Sequence, residues 1–421
     1  MADAPELQIY DPRERRLVAL ADRILGAGAA VRRLLPRRAA ASPPKRILLL
    51  RLERIGDLLM SAGAIESVRA LAPDARLDLV VGSWNLAVAK RLRGIDRIET
   101  LDAPWLARGG DAATPLGLIA RAEAWRHHAY DLAINFEGDI RSHALLAIAG
   151  VPRRVGFAMA GGGPLLTDVV PHRPDRHVSA NAAALIAAAF AGDPVATVEA
   201  PPPAFRLDLP AEAIAAAAAQ VPHGPYIAVH ASGGRAIKQW DLDRFAAAAS
   251  TIAADLGAGI VLTGASGDAA LVETVRSQIL QLRRESRRET LPTSLPTSLP
   301  TSLPTSLPTN DLLLTAAILR GARMVLTGDT GPMHLAAAVG APVVAVFGPS
   351  MPWRYGPIST AHRIVRVDLP CAPCNMIRKP PERCVGHTPD CLVGVTVDAV
   401  VEAARSLLAE TAARPTGEAR G

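Results

Sequence analysis

The chain has 421 residues, 49% of them hydrophobic, and a formal net charge of +6. That is length enough for two domains with separate cores, and the basic excess suits a phosphorylated, anionic partner. With 4% aromatics the chain lacks the rings of a single-stranded nucleic-acid platform, and no apolar run of about 18 residues is present to cross a membrane.

The start carries Asp3 and Glu6 rather than a basic and then apolar leader. All 4 Cys fall between positions 371 and 391, unlike a secreted disulfide framework. Both features predict a cytoplasmic protein. Residues 1–45 read as a basic amphipathic extension. Leu17, Leu20, Ala21, Ile24, Leu25, Val31 and Leu35 recur near helical spacing among Arg16, Arg23, Arg32 and Arg33. Two readings stand side by side: a helix docked on the protein's own surface, or one touching an anionic inner-membrane leaflet.

Residues 46–205 alternate apolar strands with helices, which predicts a parallel sheet covered on both faces. Strands are expected at 46–51, 77–81, 131–135 and 151–157. In such sheets ligands gather at the carboxyl ends of strands, so the loop after the first strand, with Glu53, Arg54, Gly56 and Asp57, is the first candidate site. Asp57 reads either as the N-cap of a helix over 58–71 or as a general base for a sugar hydroxyl. Arg141 and Ser142, and the arginines at 153, 154, 173 and 176, are candidate contacts for a phosphorylated acceptor or plain surface groups. Pro201–Pro203 and residues 208–210 mark a boundary.

Residues 211–370 repeat the pattern. A strand over 226–230 runs into ASGGRAIKQ (231–239), where Ser232 and Gly233 let backbone approach a diphosphate and Lys238 supplies a point charge. After a strand at 259–263, Asp268, with Glu273 in reserve, is placed to accept from ribose hydroxyls. Residues 291–310 are LPTS repeated, a low-complexity insertion predicted to be an extended surface loop without a catalytic role. Asp311 caps the next helix. The stretch 327–349, TGDTGPMHLAAAVGAPVVAVFGP, then reads as strand, tight turn, short helix and strand. Its turn aims N–H groups and a helix start at one anion-sized spot, with Asp329, Thr330, Gly331 and His334 around it. Residues 371–421 hold Cys371, Cys374, Cys384 and Cys391, spaced by two, nine and six residues. They are a candidate tetrahedral structural site for zinc or iron or simply free thiols.

Three of these stretches share one resemblance. DTGPMHLAAAVGAPVVAVFGP, RLERIGDLLMSAGAIESVRALAPDARLDLVVG and NFEGDIRSHALLAIAGVPRRVGF resemble glycosyltransferase family 9, the ADP-heptose:lipopolysaccharide heptosyltransferases. The loop ending in Lys-x-Trp at 238–240 is similar too. The resemblance implies an α/β GT-B fold, two Rossmann-like domains with parallel sheets facing a central cleft. The acceptor would sit on 46–205 and the nucleotide-sugar on 211–370. It implies inverting transfer of heptose from ADP-heptose to a lipid-linked inner-core acceptor, with Asp57 as base and no cofactor or nucleic acid. Ser232, Gly233, Lys238, Thr330 and Gly331 would hold the diphosphate, Asp268 the ribose and Asp329 the sugar, with His334 beside them. Glu53 and Arg54 replace the family's usual small residues, so the acceptor stays open. Alternatives are another nucleotide-sugar donor, a sugar-nucleotide epimerase, or a non-catalytic envelope-assembly protein.

Overall fold

In this computed structural model the backbone is described for residues 7, 9, 11–33, 43–106, 113–191, 204–289, 303–359 and 361–413, and the side chains of 28–33, 191 and 286–289 are not. Packing divides the chain into two compact units, Met1–Phe205 and Arg206–Gly421.

The first unit is a six-stranded parallel sheet. Its strands are β1 (Arg46–Arg51), β2 (Arg76–Val81), β3 (Arg97–Thr100), β4 (Leu132–Asn135), β5 (Arg153–Gly156) and β6 (Asp168–Val169), in the order β3-β2-β1-β4-β5-β6. Its helices are α1 (Pro12–Arg33), α2 (Ile55–Leu71), α3 (Leu86–Ala89), α4 (Pro115–Arg126), α5 (Ile140–Ile148) and α6 (Val178–Ala191). β1 is buried after its first residue, as a strand covered on both faces must be. Leu48 and Leu50 pack with Leu118, Ala122 and Trp125 of α4 and with Leu145 and Leu146 of α5. The indole N–H of the buried Trp125 donates to Glu99 Oε1 at 3.1 Å, so the ring is covered without stranding a donor.

The second unit repeats the plan. Its strands are β7 (Tyr226–His230), β8 (Gly259–Gly264), β9 (Thr305–Pro308), β10 (Val325–Gly328), β11 (Val343–Val346) and β12 (His362–Val365), in the order β12-β11-β10-β7-β8-β9. Its helices are α7 (Ala211–Ala218), α8 (Leu242–Leu256), α9 (Ala269–Glu289), α10 (Leu312–Gly321), α11 (Gly331–Ala338), α12 (Pro352–Tyr355), α13 (Asp390–Val393) and α14 (Val397–Ala413). Alternate strand residues Ile227, Val229, Ile260, Leu262, Leu326, Val344 and Val346 form one core with α8, α9 and α14. Trp240 sits edge-on to Phe245, 4.9 Å between centroids, and donates to Val395 O at 3.2 Å. Truncating such a ring costs about 3–5 kcal/mol.

Two details differ from the sequence reading. Asp57 is not the N-cap of α2: Arg54 is, and Asp57 lies within the first turn. And the end of the repeat is not simple loop, because Thr305–Pro308, across the junction of its last two copies, pairs in parallel with β8. It takes the sheet's edge, where a proline's missing donor breaks no ladder and a β-branched Thr fits the pleat. Residues 291–302 of the repeat lie outside the described chain, as does the tail from Arg414.

Candidate active site

Each sheet reverses its strand order once, between β1 and β4 in the first unit and between β7 and β10 in the second. The crevice at the carboxyl ends of such a pair is where open α/β sheets bind ligands. The main candidates below end or follow one of these four strands or lie in the loop after β8.

In the first unit the β1–α2 loop is built around Arg51, the last residue of β1. Its guanidinium is buried and donates to Glu53 Oε2 at 3.0 Å and to Phe136 O at 3.1 Å. It also reaches the backbone oxygen of Asp57 from Nε (3.3 Å) and Nη2 (3.2 Å), and lies 3.5 Å from Asp57 Oδ1. Across the switch point Glu137, following β4, accepts from Leu52 N at 2.7 Å and Glu53 N at 3.3 Å, 3.7 Å from Arg51 Nη1. One guanidinium thus faces three carboxylates. Burial first, and then the charge of Glu53, push the Glu137 carboxyl up to about 8 although Arg51 pulls the other way. Trp84 Nε1 and Asn85 Nδ2 both donate to Glu53 O, at 3.0 and 2.6 Å. The half-buried Asp57 carboxylate therefore stands in the first turn of α2, next to a loop held from several sides.

The other sequence candidates of this unit are differently engaged. Arg141 pairs with Asp139 at 2.6 Å and lies over Trp105. Ser142 faces inward, accepting from Asn135 at 2.8 Å and donating to Asp139 O at 2.7 Å. Arg153 donates to Ala189 O and Arg154 to Leu165 O, both at 2.6 Å, so these guanidiniums brace β5 against its neighbours. Arg173 pairs with Asp175 at 3.1 Å.

In the second unit Lys238 Nζ sits 2.7 Å from Asp329 Oδ2. Lys238 closes a short 3-10 turn (Ala236–Lys238) after β7, and the buried Asp329 follows β10, so the pair spans the switch point. Ser232 Oγ meets His230 Nε2 at 2.9 Å, and His230 Nδ1 meets Thr263 Oγ1 at 3.1 Å. Burial lowers His230 to about 4, which keeps the ring neutral. Gly233 N donates to Gln239 Oε1 at 2.7 Å, and the same amide group donates to Trp240 O at 3.0 Å, closing the loop on itself. Thr330 is the N-cap of α11 without a side-chain cap bond, its hydroxyl 3.2 Å from that of Thr327. Gly331 opens the helix and His334 is buried on it. Asp268 accepts from Ala265 N at 3.1 Å, tying the turn after β8. Lys238, Asp329, Ser232 and Thr330 thus all lie in loops after β7 or β10, and Asp268 lies after the adjacent β8.

Arg51, Glu137, His230 and Gln239 were missed by sequence reasoning. The signals were present: a charged residue ending an apolar strand, RILLLR, and a carboxylate directly after the strand across the switch, NFEGD.

The cysteine cluster gives a different result. Cys371, Cys374, Cys384 and Cys391 are all free thiols. Among the described residues no three His, Cys, Asp or Glu side chains are grouped so as to hold a metal ion, although Cys371, Cys374 and Cys384 all lie near enough to Cys391 to act on its charge. Cys391 is buried on α13, and burial, followed by the neighbouring thiols, pushes it up to about 11.

The model of glycosyltransferase family 9 (heptosyltransferase) matches residues 119–384. The chain belongs to this family. It is 25% identical over 376 residues to lipooligosaccharide heptosyltransferase 2 of Haemophilus ducreyi, covering 86% of this chain and 99% of that one. The corresponding enzyme of Haemophilus influenzae is 23% identical over 335 residues, 76% of this chain and 88% of the other. Among solved structures, ADP-heptose LPS heptosyltransferase II of E. coli matches with a TM-score of 0.67 at 20% identity, over 87% of this chain and all of that one. The protein is therefore a glycosyltransferase whose two units share the GT-B fold.

Proposed function

We propose that this family 9 member is an inverting heptosyltransferase that moves heptose from ADP-heptose to an inner-core lipopolysaccharide acceptor at the cytoplasmic face of the inner membrane. Residues 46–205 would hold the acceptor and 211–370 the donor. Asp57 takes the proton of the acceptor hydroxyl as its oxygen bonds to the anomeric carbon. The bond from that carbon to the β-phosphate oxygen breaks, and ADP leaves with the electron pair. Lys238 meets the charge that develops on the diphosphate, with the Ser232–Gly233 loop and the start of α11 at Thr330 and Gly331 beside it. Asp329 sets the position of Lys238 and takes a sugar hydroxyl. Asp268 serves the ribose and His334 the phosphate or sugar.

The observation that carries this reading is the Lys238–Asp329 pair, a buried carboxylate holding a cation at the switch point of the second sheet. Calorimetry of the purified chain against ADP-, UDP- and GDP-sugars tests it. ADP-heptose should bind, and binding should weaken in Lys238→Ala. Preference for another nucleotide, or unchanged affinity in the variant, would overturn it.

A further inference from the structure

Helix α1 is docked on the protein's own surface, the first of the two readings of its sequence. Its inner face is docked: Val18 is buried and seats where Gly161 has no side chain, since a Cβ there would lie 2.2 Å from Val18 Cγ1. Asp22 Oδ1 accepts from Gly162 N at 2.7 Å, and Glu14 lies 3.5 Å from Arg141. Docking therefore engages both acids of the helix and uses Val18 as its buried apolar anchor.

The larger apolar side chains point away. Leu17, Leu20 and Ile24 are 68%, 54% and 65% exposed. At 100° per residue they share one face with the exposed Arg13, Arg16 and Arg23. That outward face carries three leucine-sized groups, three guanidiniums and no carboxylate. A water-facing helix has no use for such apolar exposure, and a basic protein partner would be repelled. Long apolar side chains ringed by arginine fit a bilayer surface, the apolar groups entering the acyl boundary and the guanidiniums meeting phosphate headgroups.

We infer that the outer face of α1 is a docking surface for an anionic phospholipid bilayer, held to the first unit by Val18 and Asp22. It rests on the reading above only in that a lipid-linked acceptor gives the surface its purpose. The fold supplies a consequence: the docked face of α1 touches the loop at Gly161 and Gly162 and, through Glu14, the start of α5, so bilayer contact would be passed to the end of the first unit that follows β4 and β5.

The test is co-sedimentation of the full chain with vesicles of phosphatidylglycerol and phosphatidylcholine in equal parts, and with phosphatidylcholine alone. The wild type should pellet with the anionic vesicles only and be released by high salt. Leu17→Gln/Leu20→Gln/Ile24→Gln, which keeps helix-forming residues, should lose at least tenfold in partitioning. Arg13→Gln/Arg16→Gln/Arg23→Gln should lose on the order of a hundredfold, about fivefold per arginine. Unchanged partitioning in both variants would overturn the inference. So would an oligomer in the wild type that the apolar variant dissolves without any vesicle binding, which would assign the face to a second copy. ADP-heptose calorimetry and turnover of a delipidated acceptor should be the same in wild type and variants. Loss of those activities with vesicle binding intact would sink the transferase reading and leave the surface standing.

Discussion

Lys238 Nζ and Asp329 Oδ2 lie 2.7 Å apart, joining the loop after β7 to the loop after β10 across the reversal of strand order. The lysine is less than one-fifth exposed and the aspartate less than one-tenth, so removing either leaves the other charged and poorly solvated. Lys238→Ala should weaken ADP binding by roughly ten- to a hundredfold, the range of a charged hydrogen bond worth about 1.5–3 kcal/mol. In Lys238→Ala/Asp329→Ala the losses should be clearly non-additive. Titration calorimetry of the four proteins checks both statements.

Asp57 makes the complementary prediction. Asp57→Asn keeps the side chain's shape and removes its basicity, so turnover should fall by about a hundredfold or more while ADP affinity stays put. Steady-state kinetics beside calorimetry separates the two effects, and Asp57→Asn with wild-type turnover would remove this carboxylate from the chemistry.

The fold was legible where both faces of a strand are buried. RILLLR, YIAVH and the strands at 325–328 and 343–346 announce themselves as apolar runs because parallel sheets need no polar side. Strand β3, RIET, half-buried along its length, and the two-residue β6 leave no such mark. β9 was hidden by its own proline. At the candidate site, loop chemistry and the family resemblance single out Asp57, Lys238 and Asp329, but not their partners. Arg51 meets Glu137 and Lys238 meets Asp329 only because non-consecutive strands are neighbours, which periodicity does not encode. The N-terminal helix shows the same limit, since its apolar spacing does not reveal that Val18 would dock and Leu17 would not.

Glu137 gives the structure a pH dependence with a definite sign. Its carboxyl, ordinarily near 4.5, is pushed to about 8 in the folded chain. The folded state then binds more protons than the unfolded one between those values, so this group's contribution falls as pH rises through that window. Glu137→Gln keeps an acceptor for Leu52 N–H without the ionisation. Urea midpoints of wild type and variant should diverge in the variant's favour from about pH 5 to pH 8.

His143 and His230 act in the opposite direction. Burial lowers both to about 4 from an ordinary 6.5. Their contribution is complete above 6.5 and is lost as pH falls toward 4, because the unfolded chain takes up protons first. Thermal midpoints should drop over that range, and the drop should shrink in His230→Gln if the variant folds.

The reading as a whole stands or falls on transfer. Purified chain, ADP-heptose and a heptose-deficient inner-core lipopolysaccharide should yield acceptor one heptose heavier by mass spectrometry, with one ADP released per heptose added. No added heptose and no ADP under conditions where another nucleotide-sugar is consumed would contradict it.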